Sequence, residues 1–324
     1  MKTRRLGKTG YEVSEIGLGC WQLGGDFGPV EDDAASAILD AANEAGISFW
    51  DTADVYGNGL SERRIGSHAK AAGVKVATKL GRSGTLYPNG YTRDAVRESL
   101  VGSAQRLGVD TLDLAQLHCV PTTVLQYGEI FGWMDEFQSE GLVRHWGASV
   151  ETIEEGLICL DQPGCATLQI IFNLFRQDAG EKLLPLAAER DVGIIVRLPL
   201  ASGLLSGKYD KNTSFDAADH RNYNRDGQAF SVGETFSGIP FERGVELVQE
   251  LKGLAPESMP MSQFALRWIL DHPQVSTIIA GVSKPEQIAD NVAASEARNL
   301  FPALMTQLGE WYETAVKPEI RGGV

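Results

Sequence analysis

Eight short apolar runs, each followed by a segment of helical period, constrain this chain more than any other feature of its sequence. The runs are Ile16–Trp21, Ile47–Trp50, Val74–Lys79, Leu112–His118, Val143–Ala148, Thr167–Phe172, Gly193–Leu198 and Val275–Ala280. Their length and boundaries read as buried strands. Amphipathic stretches at 33–45, 61–72, 92–107, 130–140, 151–160, 181–190, 241–254, 262–271 and 285–294 read as helices, with a further helical region at 303–316. Ser61 and Thr92 stand at expected N-caps, and Gly46, Gly73 and Gly108 at expected stops. Strand–helix units repeated eight times favour a closed (β/α)8 TIM barrel over an open sheet. The segment Arg4–Ser14 reads as a β-hairpin turning at Lys8 to Gly10, ahead of the first barrel strand. No linker divides the 324 residues, so one domain over 1–324 with extra C-terminal helices is expected. The main irregular segment, 208–240, reads as a long loop after the seventh strand, and loops of that length are usually covers or disordered.

Composition narrows the partners. A net charge of −14 opposes unaided binding to nucleic acid or to an anionic membrane. An anionic ligand must therefore be met by a few local cations. The four cysteines show no C-x-x-C spacing, which suits a reduced cytosolic protein and argues against a metal site. Met1–Arg5 has no apolar h-region behind it, and no stretch approaches 18 apolar residues. A cytoplasmic location is the expectation, with the oligomeric state undetermined.

In a barrel of this kind the chemistry gathers at the C-terminal ends of the strands. The polar residues there are Asp51, Lys79, His118 and Ser149, with Gln169 inside the sixth strand. Tyr56 follows Asp51 by five residues in a loop carrying Gly57 and Gly59. Taken alone, Asp51 could cap the next helix and Tyr56 cover a surface seam. Together they form an acid, an amine, an imidazole and a phenol at one mouth. A phenol that protonates a carbonyl at neutral pH must fall from about 10, and a neighbouring ammonium pushes it that way. Lys79 can do so for Tyr56, Asp51 can orient Lys79, and His118 can hydrogen-bond the substrate oxygen. A drop of about three units asks roughly 4 kcal/mol of this network.

The quartet, with Asp51–Glu62, Leu114–His118, Gly147–Ser149, Gln169, Pro199–Lys208 and Ala280–Asn291, resembles the aldo-keto reductase superfamily. The resemblance implies a metal-free reduction of aldehydes or ketones by NADPH, with NADP as its oxidised form and NAD as an alternative. Tyr56 would be the proton donor, with Asp51, Lys79 and His118 as partners. Ser149 and Gln169 would hold the nicotinamide amide, with Trp21 near it. The pyrophosphate would lie along Leu200, Ser202, Gly203, Leu205, Gly207 and Lys208. The adenosine phosphate would sit at Gly281, Ser283 and Lys284, where free helix N–H groups favour anions, and Gln287 and Asn291 would face the adenine.

Two positions depart from the family pattern. Val150 replaces an asparagine, and Arg197 stands where many relatives place an aromatic ring. A guanidinium there could stack under the nicotinamide and disfavour its cationic form, or turn away to pair with a carboxylate. Trp21 and Tyr87 are candidate pocket walls, Trp50 and Trp146 core, and Cys119 a packing residue. Two alternatives stay open: an NAD(P)-linked sugar or polyol dehydrogenase, and a nucleotide-binding redox sensor or accessory subunit on the same barrel.

Overall fold

A computed structural model describes residues 1–323. The hairpin pairs β1 (Thr3–Arg5) with β2 (Glu12–Ser14), antiparallel, around a tight turn at Gly7–Thr9. The barrel strands are β3 (Ile16–Gly19), β4 (Phe49–Asp51), β5 (Lys75–Leu80), β6 (Leu112–His118), β7 (Val143–Ser149), β8 (Cys165–Ile171), β9 (Gly193–Arg197) and β10 (Val275–Gly281). All pair in parallel in sequence order, and β10 closes onto β3 with Gly281 opposite Gly19. The (β/α)8 expectation and its added hairpin and C-terminal helices are what the chain forms. Among the described residues, no helix is long and apolar enough to cross a membrane.

Two apolar layers follow from strand periodicity. One face of each strand points outward against the helices, where Trp50 and Trp146 are fully buried as core residues. The inward face at the N-terminal end of the barrel packs Phe49, Ala77, Leu114, Ile195 and Ile279 beneath Leu6 and Val13 of the hairpin. The hairpin is thus a plug. Arg4 fastens it by donating to Glu15 (2.7 Å) and to the carbonyls of Leu270 (2.6 Å), Val275 (2.7 Å) and His272 (3.2 Å).

Local signals placed most helices within a few residues. Thr92 caps Arg93–Leu107 by accepting from Ala95 N, and Gly108 ends that helix in the left-handed region. Thr152 and Glu155 form a reciprocal capping box at the start of Ile153–Leu160. Ser61 is not a cap. The helix begins at Leu60 after Gly59 (φ +79°), and Ser61 lies inside it, donating to Cys20 O (2.8 Å) and accepting from the Thr52 hydroxyl (2.8 Å). The C-terminal helix Pro302–Trp311 widens into a π turn at Tyr312–Val316. The 208–240 segment is built from short turns and one small helix, His220–Tyr223.

Strand register carries the functional side chains to one mouth. Lys79 pairs with Gln116, His118 with Ser149, and Ser149 with Gln169. Gly147 makes the close approach of β7 to β8 possible, since a Cβ there would meet Thr167 Oγ1 at 2.1 Å and its carbonyl at 2.5 Å. Gly147→Ala should therefore destabilise the fold by about 1–3 kcal/mol, as overpacked cores do. Chemical denaturation checks this, and an unchanged midpoint would show that the two strands can separate freely.

Candidate active site

Asp51 ends β4, and the loop after it doubles back on itself. Gly57 (φ +56°) lies against Gly24, so close that a Cβ would meet the Gly24 carbonyl at 2.2 Å. That contact sets Tyr56 beside the loop after β3, its ring stacked on Trp21 at 5.7 Å. Lys79, buried on β5, donates to Asp51 Oδ1, to the Thr52 carbonyl (2.9 Å) and to the Tyr56 hydroxyl (3.2 Å). All three ammonium donors are thereby used. Asp51 Oδ2 accepts from Gln116 Nε2 (3.0 Å) and Gln169 Nε2 (2.8 Å). The His118 ring stands perpendicular to Tyr56 at 5.9 Å, and its Nδ1 has no hydrogen-bond partner among the described residues.

The electrostatics follow from burial and these neighbours. Burial alone would lower the Lys79 ammonium, but Asp51 and then Tyr56 outweigh it and hold it above the usual lysine value. His118 is driven well below the usual histidine range by burial, then by Arg82, Lys79 and Arg197, so it is neutral at ordinary pH. Lys79 lowers the Tyr56 phenol as expected. Burial nonetheless exceeds that pull and raises it, so the phenol holds its proton rather than titrating near neutrality.

A cavity of about 460 Å³ opens over this quartet. Of the sequence-predicted residues, Asp51, Tyr56 and His118 line it, as do Trp21, Gln169, Arg197, Leu200, Ser202, Gly203, Lys208, Gly281, Ser283 and Gln287. Others stand apart from the wall. Ser149 is buried behind Gln169 and donates to its Oε1 at 3.3 Å. Leu205 is buried in the core, Gly207 (φ +72°) packs near Met261, Lys284 is exposed at the rim and Asn291 is buried. Tyr87 is half exposed and lies outside the wall. Gln287 acts locally: its Oε1 accepts from Ser283 N (2.7 Å), Lys284 N (3.1 Å) and the Ser283 hydroxyl (3.2 Å), capping the helix that follows.

Several functional candidates escaped the sequence reading. Gln116 is one, the second amide on Asp51. The others form a charged cluster beside His118. Glu234, brought over the mouth by the 208–240 loop, pairs with Arg82 (2.9 Å) and Arg197 (3.0 Å). Arg82 also pairs with Glu151 (2.7 Å), and Arg197 donates to Val150 O (3.1 Å). Arg197 therefore stays in the wall while its charge is offset by a carboxylate. The Cys119 thiol, which burial raises to about 12, donates to Glu234 at 3.6 Å, so it packs as a protonated group. Cys119, Glu151 and Glu234 bring their donor atoms within 4.8 Å of one another, but the two guanidinium groups already hold both carboxylates.

The model of the aldo/keto reductase family matches residues 15–313. The chain belongs to the aldo/keto reductase family. A probable voltage-gated potassium channel subunit beta from Oryza sativa subsp. japonica is 31% identical, over 98% of this chain and 97% of that protein. Among solved structures, the glycerol dehydrogenase AKR11B4 from Gluconobacter oxydans superposes with a TM-score of 0.79 at 26% identity, covering 100% of this chain and 98% of that one. The holo form of the aldo-keto reductase AKR11C1 from Bacillus halodurans gives 0.77 at 26%, covering 96% of each chain. Membership in the aldo/keto reductase family supports an oxidoreductase role for the mouth just described.

Burial pushes the Glu234 carboxyl up, yet Arg82 and Arg197 bring it down to about 2, from the ordinary 4.5. A carboxyl depressed in the folded state contributes stability above pH 4.5 and loses it as pH falls toward 2. Glu234→Gln should lower stability at pH 7 by on the order of 3 kcal/mol. The gap between variant and wild type should close between pH 4.5 and 2. Thermal melts across that range test this, and a gap independent of pH would separate Glu234 from the guanidinium pair.

Proposed function

We propose that this chain is an NADP(H)-dependent oxidoreductase that reduces aldehydes or ketones to alcohols, with Tyr56 as general acid. The observation that carries this reading is the single ammonium, Lys79, bridging buried Asp51 and the Tyr56 hydroxyl at 3.2 Å beside a neutral His118. A protonated phenol, an unpartnered imidazole nitrogen and a locked lysine at one cavity are what a carbonyl oxygen needs as charge develops on it.

The wall fits a dinucleotide. Leu198, Ala201, Ser202 and Gly203 all have positive φ, a run of left-handed backbone that brings the main chain to the cavity edge. Ser202, Gly203 and Lys208 would meet the pyrophosphate, Gln169, held from behind by Ser149, the carboxamide, and Ser283 with Lys284 at the rim the adenosine phosphate. When bound, a reduced nicotinamide supplies the hydride that adds to the carbonyl carbon. The displaced C=O electron pair goes to oxygen, which takes the Tyr56 proton and becomes the alcohol. Lys79 stabilises the phenolate left behind, and Asp51 keeps Lys79 charged against the cost of burial. His118, neutral, donates a hydrogen bond that orients the carbonyl without competing as an acid.

Two relatives keep other readings in view. The rice relative's name points to a channel accessory subunit, and the Gluconobacter relative's name to a polyol dehydrogenase working in the opposite direction. The presence of both a phenol and an imidazole at the mouth favours turnover over a purely binding role. Tyr56→Phe should lower kcat/KM for carbonyl reduction by about 10²–10⁴-fold, while fluorescence titration with NADPH stays as in the wild type. Full activity in that variant would remove Tyr56 from the acid role. Tight NADPH binding with no turnover in the wild type would turn the assignment toward the accessory subunit.

A further inference from the structure

We propose that Asp54 is a positioning residue for Tyr56 that serves in its protonated form, so that its ionisation displaces the Tyr56 loop and slows carbonyl reduction. The proposal rests on the reductase reading and concerns a side chain that stands behind the cavity rather than in its wall. Asp54 lies two residues before Tyr56 and is 9% exposed. Its N–H donates to the Lys79 carbonyl at 3.0 Å, which ties the peptide leading to the phenol onto the strand that carries the ammonium. Tyr56 N in turn donates to Ala53 O at 3.2 Å, so this short turn moves as a unit. The Asp54 side chain reaches the helix Arg93–Leu107, where the Ser99 hydroxyl donates to Oδ2 at 3.0 Å. Oδ1 is buried and has no hydrogen-bond partner among the described residues.

The surroundings do not supply a charge to match it. Arg106, on the same helix as Ser99, is committed elsewhere, to Glu62 through Nε and to the Ser103 hydroxyl (3.1 Å) through its NH2 group. Glu62, fully buried on the helix that begins at Leu60, faces Asp54 as a second carboxylate, its other oxygen accepting from Thr78 of β5. Tyr91, ahead of the helix Arg93–Leu107, feels the same charge. Burial raises the Asp54 carboxyl to about 6 and Glu62 adds to this, while Ser99, Arg106 and the Val55 N–H pull the other way. Once ionised, Asp54 places a charged oxygen without a donor in a buried site beside a like charge, which is costly. Water or separation relieves that cost, and the turn gives more readily than two packed helices and a paired strand. Tyr56 keeps its proton and His118 is already neutral, so neither ionises near 6. Asp26, on the loop after β3, is a second carboxyl against the same turn, raised by burial and set beside Gly57 N.

The test is the single-turnover rate of NADPH-loaded protein with propanal and benzaldehyde, followed by stopped flow from pH 5 to 8, with thermal melts alongside. The wild-type rate should fall about tenfold through a midpoint near 6, less than a full ångström of misplacement costs. Asp54→Asn should flatten that profile. Ser99→Ala removes a donor that favours the ionised form, so it should move the midpoint upward, a shift that a purely structural role would not produce. Asp26→Asn should leave the midpoint in place. A carboxyl raised in the folded state withdraws stability as pH climbs from 3.8 to about 6 and withdraws no more above it. Asp54→Asn should therefore gain on the wild type in melting temperature across that window and hold a constant lead beyond it. Circular dichroism identifies a variant that has not folded, and the Ser99→Ala midpoint then decides. A wild-type rate that is flat with pH, or a fall that persists in Asp54→Asn, overturns the inference while leaving the reductase reading intact, as does an unmoved midpoint in Ser99→Ala. A fall abolished in Asp26→Asn overturns it in favour of that carboxyl. NADPH binding with turnover of neither aldehyde removes the reductase reading, and this inference with it.

Discussion

The ion pair between Lys79 and Asp51 is the interaction on which the rest of the mouth depends. Both side chains are about 1–2% exposed, so neither charge has water to fall back on. Burying two ions costs several kcal/mol each unless every donor and lone pair finds a partner. Here the partners are supplied: Asp51, Thr52 O and Tyr56 for the ammonium, Gln116 and Gln169 for the far carboxylate oxygen. Barrel register makes this arrangement cheap in conformational terms, because β4, β5, β6 and β8 present those groups from rigid, paired strands. The same rigidity fixes where Tyr56 can stand.

Much of this was legible in the sequence. Strand ends were easy to see because buried strands are short, apolar and bounded by glycine or charge. Asp51, Lys79 and His118 each stand at such an end, so a closed barrel had to bring them together. Gln116 carried a readable signal that went unused: it lies two residues before His118 on the same strand and so points the same way. Arg82, three residues past Lys79, was close enough to the mouth to be suspected.

Other features were beyond a local reading. Glu234 meets Arg82 across 152 residues, through a loop whose path is set by tertiary contacts rather than by period or capping. The Tyr56 phenol was expected to fall and instead rises, because burial can be larger than a single charge in contact and no sequence reports depth. Ser61 looked like a cap by residue type. The left-handed Gly59 starts the helix earlier and frees the serine to brace β4 against the loop after β3. Arg197 has the carboxylate partner expected of a turned-away guanidinium, yet it stays in the cavity wall.

The plug at the opposite end has a consequence for the order in which the molecule is made. Arg4 is satisfied by carbonyls at positions 270, 272 and 275, between 266 and 271 residues further along the chain. While the ribosome is still producing the middle of the protein, the hairpin has no closed ring to seal, and its guanidinium has Glu15 but none of its three carbonyl acceptors. Leu6 and Val13 must wait, exposed, until the last strand arrives and the ring can close. Vectorial synthesis thus leaves the opening residues of this barrel among the last to become native, and the interval before closure is when they are most open to chaperones or to other chains.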